Sequence, residues 1–325
     1  MAEVLIIGRT SPPVGGVTTH VGRLTEALRQ NHFDFSFCDL NNEKLPGIIY
    51  RVLKHPIIHI HFSKPLYQIL AAIFCRFTGK KLIITYHGCW GRYGPLGNVM
   101  VKASARLAAV PVVQEHAGLR QALGCNPRSR LISTYIPGPP IEPLIATTHS
   151  EIVAIRKSYQ ATFCTNAWDL TFDRYGREIY GISELVSRFA DYPEYLLLVS
   201  DPSGNYRSYI ERCFLHIPEN IFFINRLHDF RSVLLLSDAF IRNTTTDGVS
   251  LSIHEARESG VAVIASDAAE RPSFCSIFRD IAKADLKEKL KEAKRHIALP
   301  GEPANAAGKL ISVYRELGSR TITSS

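Results

Sequence analysis

Two carboxylates stand eight residues apart in DGVSLSIHEARESGVAVIASD, residues 247–267. Asp247 opens a turn with Gly248, and Glu255 falls on the helical pattern that follows. Carboxylates accept hydrogen bonds from vicinal hydroxyls, so the pair suits one polyhydroxylated ligand. Read locally, the same residues serve as a helix-start charge, which the helix dipole favours, and a solvated side chain. Near the N-terminus, Gly15 and Gly16 follow the apolar run 4–8 and precede a helical pattern from Val17. Backbone N–H groups at such a helix start are open to a phosphate. The spacing is not G-x-G-x-x-G, which removes the main support for a nicotinamide dinucleotide, and taken alone it is a structural turn. His87 ends another apolar run before Gly88, where a single histidine is ordinarily a hydrogen-bonded strand end. His59 and His61 alternate along one strand and point to one face. A metal site there needs further ligands at matched spacing, so packed core histidines are the plainer reading.

These residues need elements that present strand ends and helix starts to a ligand. The first half alternates β-rich apolar runs at 4–8, 33–40, 57–62, 81–88, 110–116 and 130–136 with helical patterns at 17–30, 65–79 and 99–109. Near-continuous apolar runs fit parallel strands buried on both faces, and the alternation predicts a βα series. PGPPIEP at 137–143 has four prolines in seven residues and reads as a linker. A second series follows, with strands at 161–168, 195–201, 220–226, 239–244 and 261–267 and helices at 177–190, 205–214, 230–238 and 251–260. Two further helical patterns close the chain. The expected organisation is a first domain over 1–143, a second over 144–303, and a terminal helix at 304–325 free to pack back on the first. Ligands of doubly wound sheets sit at the carboxyl ends of the strands.

Composition narrows the classes. The chain has 325 residues, 46% hydrophobic and 21% charged, as a soluble globular protein has. Seven scattered cysteines without a C-x-x-C pair favour free thiols in a reducing compartment. The N-terminus lacks the marks of a signal peptide, and no apolar run approaches the ~18 residues that span a bilayer. Both point to a cytoplasmic protein, or one peripheral on the inner face of the cytoplasmic membrane. The net charge of +8 is uneven: residues 1–150 carry 16 basic against 7 acidic side chains, a balance of +9. No acidic residue lies between Glu43 and Glu115, where ten basic ones do, among them Lys64, Arg76, Lys80, Lys81 and Arg92. Such a block implies an anionic partner. Nucleic acid is set aside because the block lacks aromatic–basic interleaving and lies inside an enzyme-like fold. The segment 65–81, apolar with a basic end, reads as a Rossmann helix that also suits lipid headgroups.

Three segments in this order, PPVGGVTTHVGRLTEAL, ITYHG and DGVSLSIHEARESGVAVIASD, resemble glycosyltransferase family 4 over about residues 13–267. That resemblance implies an α/β GT-B fold, two Rossmann-like domains facing a central cleft, and retaining transfer of a hexosyl unit from a nucleotide diphosphate sugar. It implies that Glu255 binds ribose hydroxyls, Asp247 donor-sugar hydroxyls, and the amides about Gly248, Ser250 and Leu251 phosphate or sugar. Gly15 and Gly16 would face the diphosphate, and His87 would stand beside the donor sugar near the anomeric carbon, which makes His87 and Asp247 the implied catalytic residues. No metal or other cofactor is implied. The implied partners are a UDP- or GDP-linked sugar, a saccharide or lipid-linked acceptor in lipopolysaccharide or capsule assembly, and an anionic membrane surface. The sequence departs from the family at two places. Asp247 stands where the family has glutamate. Tyr180 precedes Gly181 where the family has a pattern ending Lys-Gly, leaving Arg174 and Arg177 as candidates for the charge that a diphosphate leaving group requires. A GT-B nucleotide-sugar epimerase and a catalytically silent donor-binding homologue are the alternative readings.

Overall fold

The computed structural model describes residues 3–11, 15–173, 175–297 and 306–322. The chain divides into two compact units, Met1–Gly138 with Pro303–Ser325, and Pro139–Glu302. The first contains β1 (Val4–Gly8), α1 (Gly16–Gln30), β2 (Phe35–Asp39), α2 (Leu45–Lys54), β3 (Ile57–Ile60), α3 (Pro65–Phe77), β4 (Lys81–Thr85), α4 (Pro95–Leu107), β5 (Val110–Val113), α5 (His116–Leu123) and β6 (Arg130–Leu131). The second contains α6 (Ala146–Ile155), β7 (Ala161–Asn166), α7 (Ile182–Ala190), β8 (Tyr195–Ser200), α8 (Asn205–Cys213), β9 (Ile221–Ile224), α9 (Phe230–Leu234), β10 (Ala239–Arg242), α10 (Leu251–Glu258), β11 (Ala262–Ser266), β12 (Cys275–Phe278) and α11 (Leu286–His296). The last helix, α12 (Ala306–Ile322), returns to the first unit.

Each unit is built on a six-stranded parallel sheet, ordered β2-β1-β3-β4-β5-β6 in the first and β12-β11-β10-β7-β8-β9 in the second. The strand alternation of side chains decides which helices cover which face. In the first unit Leu5, Ile7, Ile58, Ile60, Leu82 and Ile84 pack against Val52 of α2, Ala72 and Cys75 of α3, and Val101 and Ala105 of α4. Val4, Ile6, Ile57 and Ile83 face the other way, against Leu24 and Leu28 of α1 and Leu310, Tyr314 and Leu317 of α12. The second unit repeats the device: Phe163, Leu197, Ile241 and Ile264 meet α7, α8 and α11, while Cys164, Leu196, Phe240 and Val263 meet α6, α9 and α10. All of these strand residues are buried on two-sided sheets, which is why their sequence runs are almost wholly apolar.

Several elements differ from the sequence pattern. The expected strand 130–136 pairs only through Arg130 and Leu131, at the sheet edge. The helix expected from 177 begins at Ile182, because Asp173 and Arg177 close a turn first: Asp173 N donates to Arg177 O at 2.8 Å and Arg177 N to Asp173 Oδ1 at 3.0 Å. Gly181 then takes a left-handed φ of +50°, where a Cβ would run into the Asn243 side chain. The helices α2, α5 and α6 and the edge strand β12 have no counterpart in the pattern.

Candidate functional site

In the second unit the carboxyl ends of β7, β10 and β11 converge on one polar network. Arg242 is the last residue of β10, and its guanidinium donates to Asp247 through Nε (3.1 Å to Oδ2) and Nη2 (3.3 Å to Oδ1). Arg271, beyond β11, donates from Nη1 to Asp247 Oδ2 at 2.9 Å. The Gly248 amide donates to Asp247 Oδ1 at 3.0 Å. Arg242, Arg271 and Asp247 have side chains only 11%, 3% and 10% exposed. Burial works against ionising Asp247, but the charges and hydrogen bonds of Arg242 and Arg271 outweigh it and hold its carboxyl below the usual carboxylate range. The remaining guanidinium groups are also engaged. Arg242 Nη1 donates to Asn166 Oδ1 (3.3 Å), and Arg271 donates to Ser266 O (2.9 Å) and Thr244 Oγ1 (3.0 Å). Asn166 Nδ2 in turn donates to Ser252 Oγ at 2.9 Å, tying the network to α10.

Ser250 stands at the N-cap position of α10 without a side-chain capping bond, and Leu251 is the first residue of the helix. The Ser250 hydroxyl is buried without a hydrogen-bond partner. Glu255 lies one turn into the same helix and is buried. Asp247, Gly248, Ser250, Leu251 and Glu255 are thus brought together at one strand end. Arg177 is not part of this group: it pairs with Asp173 (2.8 Å) in an exposed turn. Arg174 lies outside the described residues. Arg242, Arg271 and Asn166 are residues that motif reading missed. A signal was present, since Arg242 is the single charge inside the buried run AFIRNT, and a fully buried arginine requires a partner.

In the first unit Gly15 is the N-cap of α1 with an extended backbone (φ −177°) and Gly16 is its first residue. No packing contact requires glycine at Gly16, and at Gly15 a Cβ would meet only Thr18 Oγ1 at 3.9 Å. Lys64 and Arg76, at the two ends of α3, and Arg92 are exposed. Lys80 donates to Leu53 O at the end of α2 (2.6 Å), whereas Lys81 donates to Leu317 O on α12 (2.7 Å). The two lysines, adjacent in sequence, therefore lean to opposite layers. Exposed Leu53, Leu66, Leu70, Phe77, Leu96 and Val99 lie among the basic side chains on α2, α3 and α4, which share one face of the sheet.

His59 is a satisfied core histidine, bonded to Tyr314 Oη (2.6 Å) and Thr85 Oγ1 (2.8 Å). His61 instead meets His87: Nδ1 of the first is 3.1 Å from Nε2 of the second. Gln114 Nε2 lies 3.2 Å from His87 Nδ1. His20 on α1 joins them, its Nδ1 2.6 Å from Thr134 O. Burial lowers the pKa of His20 to about 4 and that of His59 to about 3, and it holds His61 and His87 well below 6.5.

No protein-family model matches the chain, and no curated protein matches it by sequence. Solved structures do match along nearly its full length. Anabaena HepE in complex with UDP is similar at a TM-score of 0.68 and 12% identity, over 98% of this chain and 100% of that one. Sucrose-phosphate synthase from Thermosynechococcus elongatus gives 0.72 and 16%, over 98% and 100%. WaaG, a glycosyltransferase involved in lipopolysaccharide biosynthesis, gives 0.62 and 11%, over 95% and 99%. The shared architecture is the GT-B fold, two Rossmann-like domains in one chain.

Proposed function

We propose that the chain transfers a hexosyl unit from a UDP- or GDP-linked sugar to a saccharide or lipid-linked saccharide acceptor, with retention at the anomeric carbon. The Arg242–Asp247–Arg271 group beside the start of α10 carries this reading. Two guanidiniums share one carboxylate, so the three side chains together carry more positive than negative charge, shielded from water where its effect on an anion is strongest. The resemblance asks for a lysine at position 180. Tyr180 stands there with its ring centroid 5.0 Å from the Arg242 guanidinium, so Arg242 supplies the charge that the Lys-Gly pattern lacks. The amides at Ser250 and Leu251 add the partial charge of a helix start. In this reading fixed charge takes the place of a divalent ion on the diphosphate, and Glu255 accepts from the ribose hydroxyls. Asp247 serves first as the anchor of both arginines and reaches a sugar hydroxyl by giving up one of those bonds. The UDP and UDP-glucose held by HepE crystals support a nucleotide sugar as donor.

The acceptor side rests on the first unit. A basic face free of acidic residues from 44 to 114, studded with exposed leucines and Phe77, suits an anionic membrane carrying a lipid-linked acceptor. Assembly of a surface polysaccharide, lipopolysaccharide or capsule, on the cytoplasmic side fits both partners. Among the described residues no helix is long and apolar enough to cross a membrane, and the contact proposed is a peripheral one.

Calorimetry with UDP, GDP, ADP and dTDP, followed by incubation with labelled nucleotide sugars and acceptor, tests the reading. Transfer releases nucleoside diphosphate and extends the acceptor. Epimerisation alters only the sugar, and a donor-binding homologue binds without turnover. Absence of binding to every nucleoside diphosphate overturns it.

A further inference from the structure

In the first unit His20, His61 and His87, of which the resemblance sets only His87 beside the donor sugar, form a group whose hydrogen bonding is unfinished. His20 lies on the helix after β1, His61 directly follows β3, and His87 lies two residues after β4. β1, β3 and β4 are neighbours in the sheet, so the topology gathers the three rings at its carboxyl edge. One ligand atom from each lies within 4.8 Å of the other two. Proton accounting shows what is missing. Thr134 O can only accept, so His20 carries its proton on Nδ1 and presents a lone pair at Nε2. That Nε2 is buried with no partner, and so is Nε2 of His61. If His87 donates to His61, a buried N–H at His61 Nε2 is left without an acceptor; if His61 donates, a second lone pair, at that Nε2, is left without a donor. No neutral tautomer satisfies both nitrogens.

We propose that His20, His61 and His87 form a binding site for one divalent transition-metal ion of the zinc class. Three neutral imidazoles with an open fourth position match the donor set and coordination such ions take in proteins. At bond lengths of about 2.05 Å the ligand nitrogens of a tetrahedral ion stand about 3.3 Å apart. His61 Nδ1 and His87 Nε2 already sit 3.1 Å apart, and the ligand atoms of all three rings lie within 4.8 Å of one another, a gap that side-chain rotation has to close. The outer contacts are also those of metal-bound histidines: His20 Nδ1 is held by a backbone carbonyl and His87 Nδ1 by the Gln114 amide group, which accepts through Oε1 when turned over. His59 stays outside the site, since Tyr314 and Thr85 take both its nitrogens. The site belongs to the first unit and the Arg242–Asp247–Arg271 group that carries the nucleotide reading to the second, so metal binding and nucleotide binding are measured separately.

The test uses the full, untagged chain, stripped with a chelator and titrated with Zn²⁺ against a chromophoric competitor, and separately with Co²⁺. One equivalent should bind, with a visible Co²⁺ spectrum of nitrogen and oxygen ligation and no thiolate charge-transfer band. His20→Gln and His61→Gln should each weaken Zn²⁺ binding more than about tenfold, the order expected when metal ligation is disturbed. Cys213→Ser, at an exposed thiol, should leave it unchanged. Circular dichroism and urea unfolding of the same variants report whether they are folded. The Co²⁺ spectrum of the unaltered chain tests the ligand set even if a variant fails to fold. Binding no tighter than to the histidine variants, or a thiolate band, overturns the proposal.

Discussion

Asp247 accepts from both nitrogens that Arg242 turns toward it, from Arg271 and from the Gly248 amide, so its carboxylate is an anchor before it is anything else. Removing that charge strands two buried guanidiniums. Asp247→Asn should therefore cost about 3–5 kcal/mol of folding stability, the range for breaking a buried ion pair from one side. Urea unfolding of the second unit measures it, and a loss below ~1 kcal/mol would show the arginines to be solvated. Glu255 is expected to behave differently, because its proposed partner is the ligand. Glu255→Gln keeps the shape of the side chain and gives up a charge-assisted contact of about 1.5–3 kcal/mol. Nucleoside diphosphate affinity should fall roughly ten- to hundredfold, since each 1.4 kcal/mol is tenfold. Calorimetry with unchanged affinity would return Glu255 to the role of a helix residue.

At the scale of elements, α12 is fastened to the first sheet by Tyr314, whose hydroxyl meets His59 on β3. Tyr314→Phe leaves a buried ring nitrogen unpaired, and should lower stability by about 1–3 kcal/mol with the fold retained. The helix α10 carries a pH dependence of its own through His254. Burial lowers the His254 pKa from 6.5 to about 4. The unfolded chain then takes up this proton first, so the residue's share of stability is complete above pH 6.5. It declines as pH falls from 6.5 to about 4 and changes no further below that. The difference in melting temperature between the unaltered chain and His254→Gln, followed from pH 7.5 to 4, should shrink or reverse in that window. A difference independent of pH would show that His254 is protonated alike in both states.

For the whole molecule, the uneven charge is the property with consequences at a distance. Vesicles containing anionic lipid should bind the chain, and binding should weaken from 50 to 500 mM salt. Each basic residue near such a surface contributes about 1 kcal/mol, screened over a Debye length of about 10 Å at 0.1 M. Reversal of Lys64 and Arg76 to glutamate should weaken co-sedimentation, and Phe77→Ser should weaken the part that salt does not remove. Binding indifferent to both changes would place the membrane contact elsewhere or nowhere. Lys81 is left out of this test because its amine is spent on α12.

What the sequence by itself determined is the parallel-sheet architecture of both halves. Strands buried on two faces must be apolar throughout, and runs such as VLIIG and YLLLVSD admit little else. It also determined that Asp247, Gly248, Ser250, Leu251 and Glu255 lie in one place, since they share a turn and the helix behind it. Elements whose local signals are mixed were not readable in this way. α2 has Pro46 and Gly47 in its first turn, β6 is a two-residue edge pairing, and β12 pairs with β11 at the edge of its sheet. Above all, tertiary structure decided the partners of charged and titratable groups. Arg271 reaches Asp247 across 24 positions, and His20 meets Thr134 across 114. His61 separates from His59, though both point to one face, because Tyr314 from the far end of the chain satisfies only one of them. A buried charge or ring nitrogen must find its complement wherever the fold brings one, and spacing along the chain carries no record of that distance.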